Sequence, residues 1–110
     1  MMRKNEINFG IDILEFSEFP KYFDSAEKQF FKDNFSENEI HYCLAQEDPT
    51  KIFACLFSIK ESLIKADNSL LNTNFNKIEL NPSDCGFNYK DYQALFSLNT
   101  EFCITFVISL

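Results

Sequence analysis

Two carboxylates and two ammonium groups stand where an apolar side chain would be the ordinary choice. Asp12 interrupts the run Gly10-Ile11-Asp12-Ile13-Leu14-Glu15-Phe16, and Lys60, Glu61 and Lys65 interrupt Phe57-Ser58-Ile59-Lys60-Glu61-Ser62-Leu63-Ile64-Lys65-Ala66. Charges in apolar settings carry a desolvation cost, so they need a partner or a task. A divalent metal and a pyrophosphate would provide one. Mg2+ takes one or two carboxylates and fills its remaining positions with water and phosphate oxygens. Asp12 and Glu61 would supply the carboxylates, while Lys60 and Lys65 would offset phosphate charge. A pyrophosphate bridging the ion would leave its scissile bond open to a nucleophile.

Each residue also has a plainer reading. Asp12 on an edge strand can simply face water. Glu61 and Lys65 are four apart, with the acid N-terminal to the base, and such a surface pair is worth a few tenths of a kcal/mol, roughly. Lys60 is different, because it falls inside the apolar row of Phe53, Phe57 and Ile64. It could snorkel along that row or point into a cleft and hold a phosphate as a point charge.

The elements that must position these groups can be read from periodicity and breakers. Residues 7–16 are β-branched and aromatic, which predicts a strand, with Gly10 marking a bulge or a close backbone approach. Pro20 breaks the pattern, and Tyr22, Phe23, Ala26, Phe30 and Phe31 predict a helix over 21–34. Ser36-Glu37-Asn38-Glu39 is a capping box and starts a short helix to about Ala45. Pro49 suits a first helical turn, and the rows Ile52, Leu56, Ile59, Leu63 and Phe53, Phe57, Ile64 predict a long helix over 50–66. Residues 75–80 read as a strand, 82–86 as a turn, and 93–98 with 102–109 as a hairpin around Asn99-Thr100-Glu101. The order predicts an α+β fold, with helices packed on one face of a small antiparallel sheet.

Composition sets bounds on function. A chain of 110 residues predicts a single domain over 1–110, and 14 Phe with 45% hydrophobic residues can fill a modest core. The net charge of -7, with no Lys/Arg cluster, argues against a nucleic-acid partner. No apolar stretch is long enough to cross a bilayer, so no membrane partner is expected. Cys43, Cys55, Cys85 and Cys103 lack C-x-x-C spacing and His41 is the lone histidine, so buried free thiols are expected rather than zinc or disulfides. Met1-Met2-Arg3-Lys4-Asn5-Glu6 lacks the pattern of a signal peptide, which predicts a cytoplasmic protein.

Gly10-Ile11-Asp12-Ile13-Leu14-Glu15, Phe35-Ser36-Glu37-Asn38-Glu39-Ile40 and Lys60-Glu61-Ser62-Leu63-Ile64-Lys65-Ala66 resemble a known set of motifs. They are those of the small, holo-acyl-carrier-protein-synthase type of 4'-phosphopantetheinyl transferase: G-x-D on the first strand, F-[ST]-x-x-E entering a helix, and K-E-[AS]-x-x-K-A on the long helix. Ser97-Leu98 and Phe102-Cys103-Ile104-Thr105-Phe106-Val107 are similar to that family's closing hairpin. The resemblance implies transfer of the phosphopantetheine arm of coenzyme A to a serine of an acyl or peptidyl carrier protein, releasing adenosine 3',5'-bisphosphate. It implies Asp12 and Glu61 as Mg2+ ligands and Lys60 and Lys65 as residues near the coenzyme A phosphates, with Glu61 and Lys65 in catalytic roles. Either Glu61 or a metal-held water could take the serine proton. It also implies a homo-oligomer, a trimer with sites between protomers.

The chain departs from that pattern at several points. Glu18 and Leu56 stand where the family usually has arginines, Leu98 and Asn99 stand where it often has Ser-His, and Asp67-Asn68-Ser69 replaces an expected glycine. Lys21, Lys28 and Lys32 alternate with Asp24, Glu27 and Asp33, so an acidic carrier would find little electrostatic steering there. These departures keep open a second reading, a non-catalytic relative serving as an interaction or assembly subunit.

Overall fold

The computed structural model describes residues 7–109. Five antiparallel strands form one sheet: β1 (Phe9–Glu15), β2 (Asn81–Ser83), β3 (Gly86–Tyr89), β4 (Tyr92–Leu98) and β5 (Phe102–Ser109), in the order β1-β5-β4-β3-β2. Three α-helices pack against it: α1 (Lys28–Asn34), α2 (Glu37–Leu44) and α3 (Pro49–Ala66). The expected α+β architecture is the one observed.

Helix α3 lies across the sheet and buries Phe53, Ala54, Leu56, Ile59 and Leu63 in the core. Pro49 occupies its first turn, and the Asp48 side chain accepts from the Lys51 amide. The capping box opens α2 as read: Ser36 Oγ accepts from the Glu39 amide and Glu39 Oε1 from the Ser36 amide. Between α1 and α3 an aromatic cluster closes the core, with Phe31, Phe35 and Phe53 in edge or stacked contact at centroid separations of 4.9–5.7 Å. On the other side of the chain, Gly10 is where β1 runs against α3. A Cβ there would lie 2.0 Å from the Ser62 carbonyl oxygen, so the close approach admits no side chain.

Three expectations are corrected. The helix expected over 21–34 begins only at Lys28. The Asp24 side chain caps the Ala26 amide and a 3-10 turn over Ser25–Glu27 intervenes, while Phe19 and Tyr22 turn into the aromatic cluster. The strand expected over 75–80 does not form, because its backbone groups are used elsewhere. Phe75–Lys77 is a 3-10 turn whose Phe75 carbonyl accepts from Lys60, and the Leu80 amide donates to Glu39 Oε2. The expected turn at 82–86 is instead the tip of a short hairpin, β2 and β3, closed by Gly86 at φ +125°. Cys43, Cys55 and Cys103 are buried free thiols as expected, but Cys85 on that tip is exposed.

Lys60 has a structural place rather than the one expected of it. It is fully enclosed, and its ammonium spends all three protons inside the protein: on Glu39 Oε1 at 2.6 Å, the Asn34 carbonyl at 2.8 Å and the Phe75 carbonyl at 2.9 Å. Its ring neighbour is Phe35, 5.1 Å from the ammonium to the centroid. Burial pushes its pKa down from the ordinary lysine value, and the charge of Glu39 pulls it back. No proton is left for a phosphate oxygen. Removing one partner of a buried pair leaves the other charge uncompensated, so Lys60→Met is expected to lower unfolding free energy by about 3–5 kcal/mol in urea titrations. The double variant Glu39→Gln/Lys60→Met should recover part of that loss. A Lys60→Met protein as stable as the parent would show that the pair is not what holds these segments.

Candidate functional site

β1 alternates, and its even positions Gly10, Asp12 and Leu14 face α3. Four polar residues of α3, Ser58, Glu61, Ser62 and Lys65, recur at helical spacing and line the same side. The close approach at Gly10 brings this polar stripe against Asp12. Lys65 Nζ donates to Asp12 Oδ1 at 3.0 Å and to the Ile11 carbonyl at 2.9 Å. Ser58 Oγ donates to Asp12 Oδ2 at 2.7 Å. Asp12 is thus held at both oxygens, with its side chain 16% exposed, whereas Lys65 is 53% exposed.

Glu61 lies on the same face. Partial burial and the nearby negative charge of Asp12 raise its pKa above the ordinary glutamate value, and Lys65 acts in the opposite direction. Two carboxylates from distant parts of the chain therefore sit near enough to repel one another, with the Lys65 ammonium attracting both. Among the described residues no hydrogen bond restrains the Glu61 carboxylate, and no group of three or more His, Cys, Asp and Glu side chains gathers. A metal held here would take Asp12 and Glu61 as its carboxylate ligands among the described residues.

The structure brings together Asp12, Glu61 and Lys65 of the residues singled out from sequence. It removes Lys60 to the interior, although Lys60 precedes Glu61 directly. One helical step of about 100° separates the two directions. Sequence reasoning missed Ser58, Ser62 and Thr105. The signal was available: Ser58, Ser62 and Lys65 fall on one face of the long helix, and alternation puts Thr105 on the inward side of its strand. A cavity of about 460 Å³ lined by His41, Tyr42, Leu56, Leu80 and Phe87 lies elsewhere, between α2 and the β2–β3 hairpin, and includes none of the three site residues.

The family model described as the 4'-phosphopantetheinyl transferase superfamily matches residues 8–108. A holo-[acyl-carrier-protein] synthase of Thermodesulfovibrio yellowstonii is 28% identical over 107 residues, covering 90% of this chain and 94% of that one. The corresponding protein of Geobacter sp. (strain M21) is 33% identical over 57 residues, 52% of this chain; the match spans about half of that relative, 46%. The solved structure of Thermotoga maritima holo-[acyl-carrier-protein] synthase superimposes with a TM-score of 0.73 at 25% identity, covering 94% of this chain and 64% of that one. An ACPS–CoA complex from Chronobacterium ammoniagenes gives a TM-score of 0.75 at 17% identity, covering 94% and 96%, a likeness of fold. With a family match over nearly its whole length, the chain belongs to the 4'-phosphopantetheinyl transferase superfamily.

Proposed function

We propose that the chain transfers 4'-phosphopantetheine from coenzyme A to a serine of an acyl or peptidyl carrier protein, with Mg2+ held by Asp12 and Glu61. The observation that carries this reading is the meeting of those two carboxylates across β1 and α3, short of one positive charge. The donor set suits Mg2+: hard carboxylate oxygens brought together from two elements. When bound, the ion would supply charge stabilisation for the pyrophosphate oxygens.

The remaining chemistry falls to the chain's own side chains. Lys65 spends two of its three protons on Ile11 and Asp12, so one remains for a phosphate oxygen, and its head is half in solvent. Glu61, with its raised pKa, is suited to accept the serine proton at a carboxylate oxygen. The serine oxygen then bonds to the phosphorus that carries pantetheine, the bond from that phosphorus to the bridging oxygen breaks, and adenosine 3',5'-bisphosphate leaves with the electron pair. Lys60 has no place in this scheme.

The outer face of the sheet bears on assembly. Phe9, Ile11 and Ile13 of β1, Leu95 of β4 and Ile104 of β5 are all exposed large apolar side chains. In register they form adjacent rows, with Ile11 opposite Phe106 and Ile13 opposite Ile104. Contiguous apolar patches of this kind mark interaction surfaces. This face is proposed to be covered by further copies of the chain in a trimer. The second reading, a non-catalytic relative, is favoured by two particulars: Lys60 offers nothing to a phosphate, and Glu18 stands where the family usually has an arginine.

The purified protein with Mg2+, coenzyme A and an apo carrier should add the mass of phosphopantetheine to the carrier. Asp12→Asn and Glu61→Gln should each abolish the mass shift, and full activity in both would overturn the metal assignment. Calorimetry that finds no coenzyme A binding in the presence of Mg2+ would favour the non-catalytic reading. Glu61→Gln should also melt higher than the parent at pH 7 without metal. A raised folded pKa means that Glu61 favours folding below its unfolded value, 4.5, and that this contribution is lost as pH rises through the folded value. The gain should therefore shrink towards pH 4. Sedimentation should give a trimer, and Ile11→Asp with Ile104→Asp should give monomers.

A further inference from the structure

We propose that Ser58 is a positioning residue for Asp12, held in place by a one-way chain of buried hydroxyls running from Ser62 through Thr105. The inference rests on the reading of Asp12 and Glu61 as the metal-holding pair.

Three hydroxyls stand in line beneath Asp12, and all three residues are fully buried. Ser58 Oγ is 2.7 Å from Asp12 Oδ2 and 2.8 Å from Thr105 Oγ1, and Thr105 Oγ1 is 2.8 Å from Ser62 Oγ. A carboxylate paired with Lys65 can only accept, so the Ser58 proton points at Asp12. Ser58 then has only lone pairs to offer Thr105, so Thr105 donates to Ser58. By the same count Ser62 donates to Thr105, since its other acceptor, the Thr105 carbonyl, is 3.5 Å away. Each hydroxyl has one proton, and all three protons point the same way. Such a chain in a dry setting polarises cooperatively towards its charged end.

The consequence falls on the geometry of Asp12. Oδ2 is fixed from inside by Ser58 and Oδ1 from outside by Lys65, so turning the carboxylate breaks two charge-assisted bonds. Among the described residues Glu61 has no comparable restraint. The pair thus has one fixed carboxylate and one adaptable carboxylate, and Ser58 makes the difference. The β1–β5 register supports the arrangement, because Thr105 lies directly opposite Asp12.

The test uses Mn2+ as a spectroscopic probe on the full chain without coenzyme A or carrier, so that binding is read apart from turnover. Ser58→Ala should bind Mn2+ about tenfold more weakly than the parent, the scale of one hydrogen bond to a charged group. Ser62→Ala, which removes the far end of the chain, should weaken it about twofold to threefold. Because a buried serine can matter for folding alone, Ser58→Thr and Ser58→Val form the deciding pair. They have the same shape, and only threonine keeps the hydroxyl. Ser58→Thr should bind Mn2+ close to the parent, and Ser58→Val should match Ser58→Ala. Equal Mn2+ binding by Ser58→Thr and Ser58→Val, or parental binding by Ser58→Ala, would overturn the positioning role while leaving the metal reading intact. A parent chain that binds no Mn2+ at all would overturn both.

Discussion

The buried ammonium of Lys60 is the constraint on which the rest of the structure depends. It sits two-thirds of the way along α3 and reaches three other segments: the end of α1 through the Asn34 carbonyl, the capped start of α2 through Glu39, and the turn after α3 through the Phe75 carbonyl. Glu39 extends the network, closing the first turn of α2 with one oxygen and holding the Leu80 amide with the other. None of these segments pairs in the sheet. Their backbone groups would be orphaned in the interior without this one cation and one anion. The long helix is therefore fixed in rotation as well as in position, and fixing its rotation is what aims Glu61 and Lys65 at β1.

Two adjacent residues of one motif thus divide the labour. Lys60 belongs to the inside of the fold and Glu61 to its working surface. From sequence the two looked like partners in one task, because a lysine beside a glutamate in an apolar helix invites a phosphate and a metal. What decides between the two uses is the set of acceptors that the rest of the chain presents, and two of the three are backbone carbonyls. Backbone carbonyls are invisible in a list of residue types. The Glu39 contribution was half visible: the capping box was legible, but not that its glutamate had a second oxygen and room for a buried cation.

The same distinction explains what else could be read. The α+β order, the long helix, the capping box and the closing hairpin follow from local signals, namely periodicity, caps and Asn99, which folds its side chain onto the amides of Glu101 and Phe102. Residues 75–80 have the composition of a strand yet lack a partner, because tertiary bonds to Lys60 and Glu39 take their carbonyl and amide first. The helix after Pro20 starts late because the Asp24 cap and the inward turn of Tyr22 outweigh its periodicity. Asp12, Glu61 and Lys65 were legible as charges out of place. The serines were only half legible: their shared face with Lys65 follows from helical spacing, but a buried hydroxyl carries no anomaly until its neighbours are known.

Strand β1 has one consequence that concerns error rather than activity. Its alternate side chains serve opposite faces, Asp12 inward and Ile11 and Ile13 outward. A slip of a single residue against β5 would exchange the two sets, drive an isoleucine into the polar stripe and strand the acid among greasy neighbours. Gly10 also guards against such a slip, because any other residue shifted into its place would press a Cβ into the helix backbone. A misthreaded chain is therefore not a slightly impaired copy but one that cannot close, and the same glycine that lets the acid reach its helix proofreads the fold.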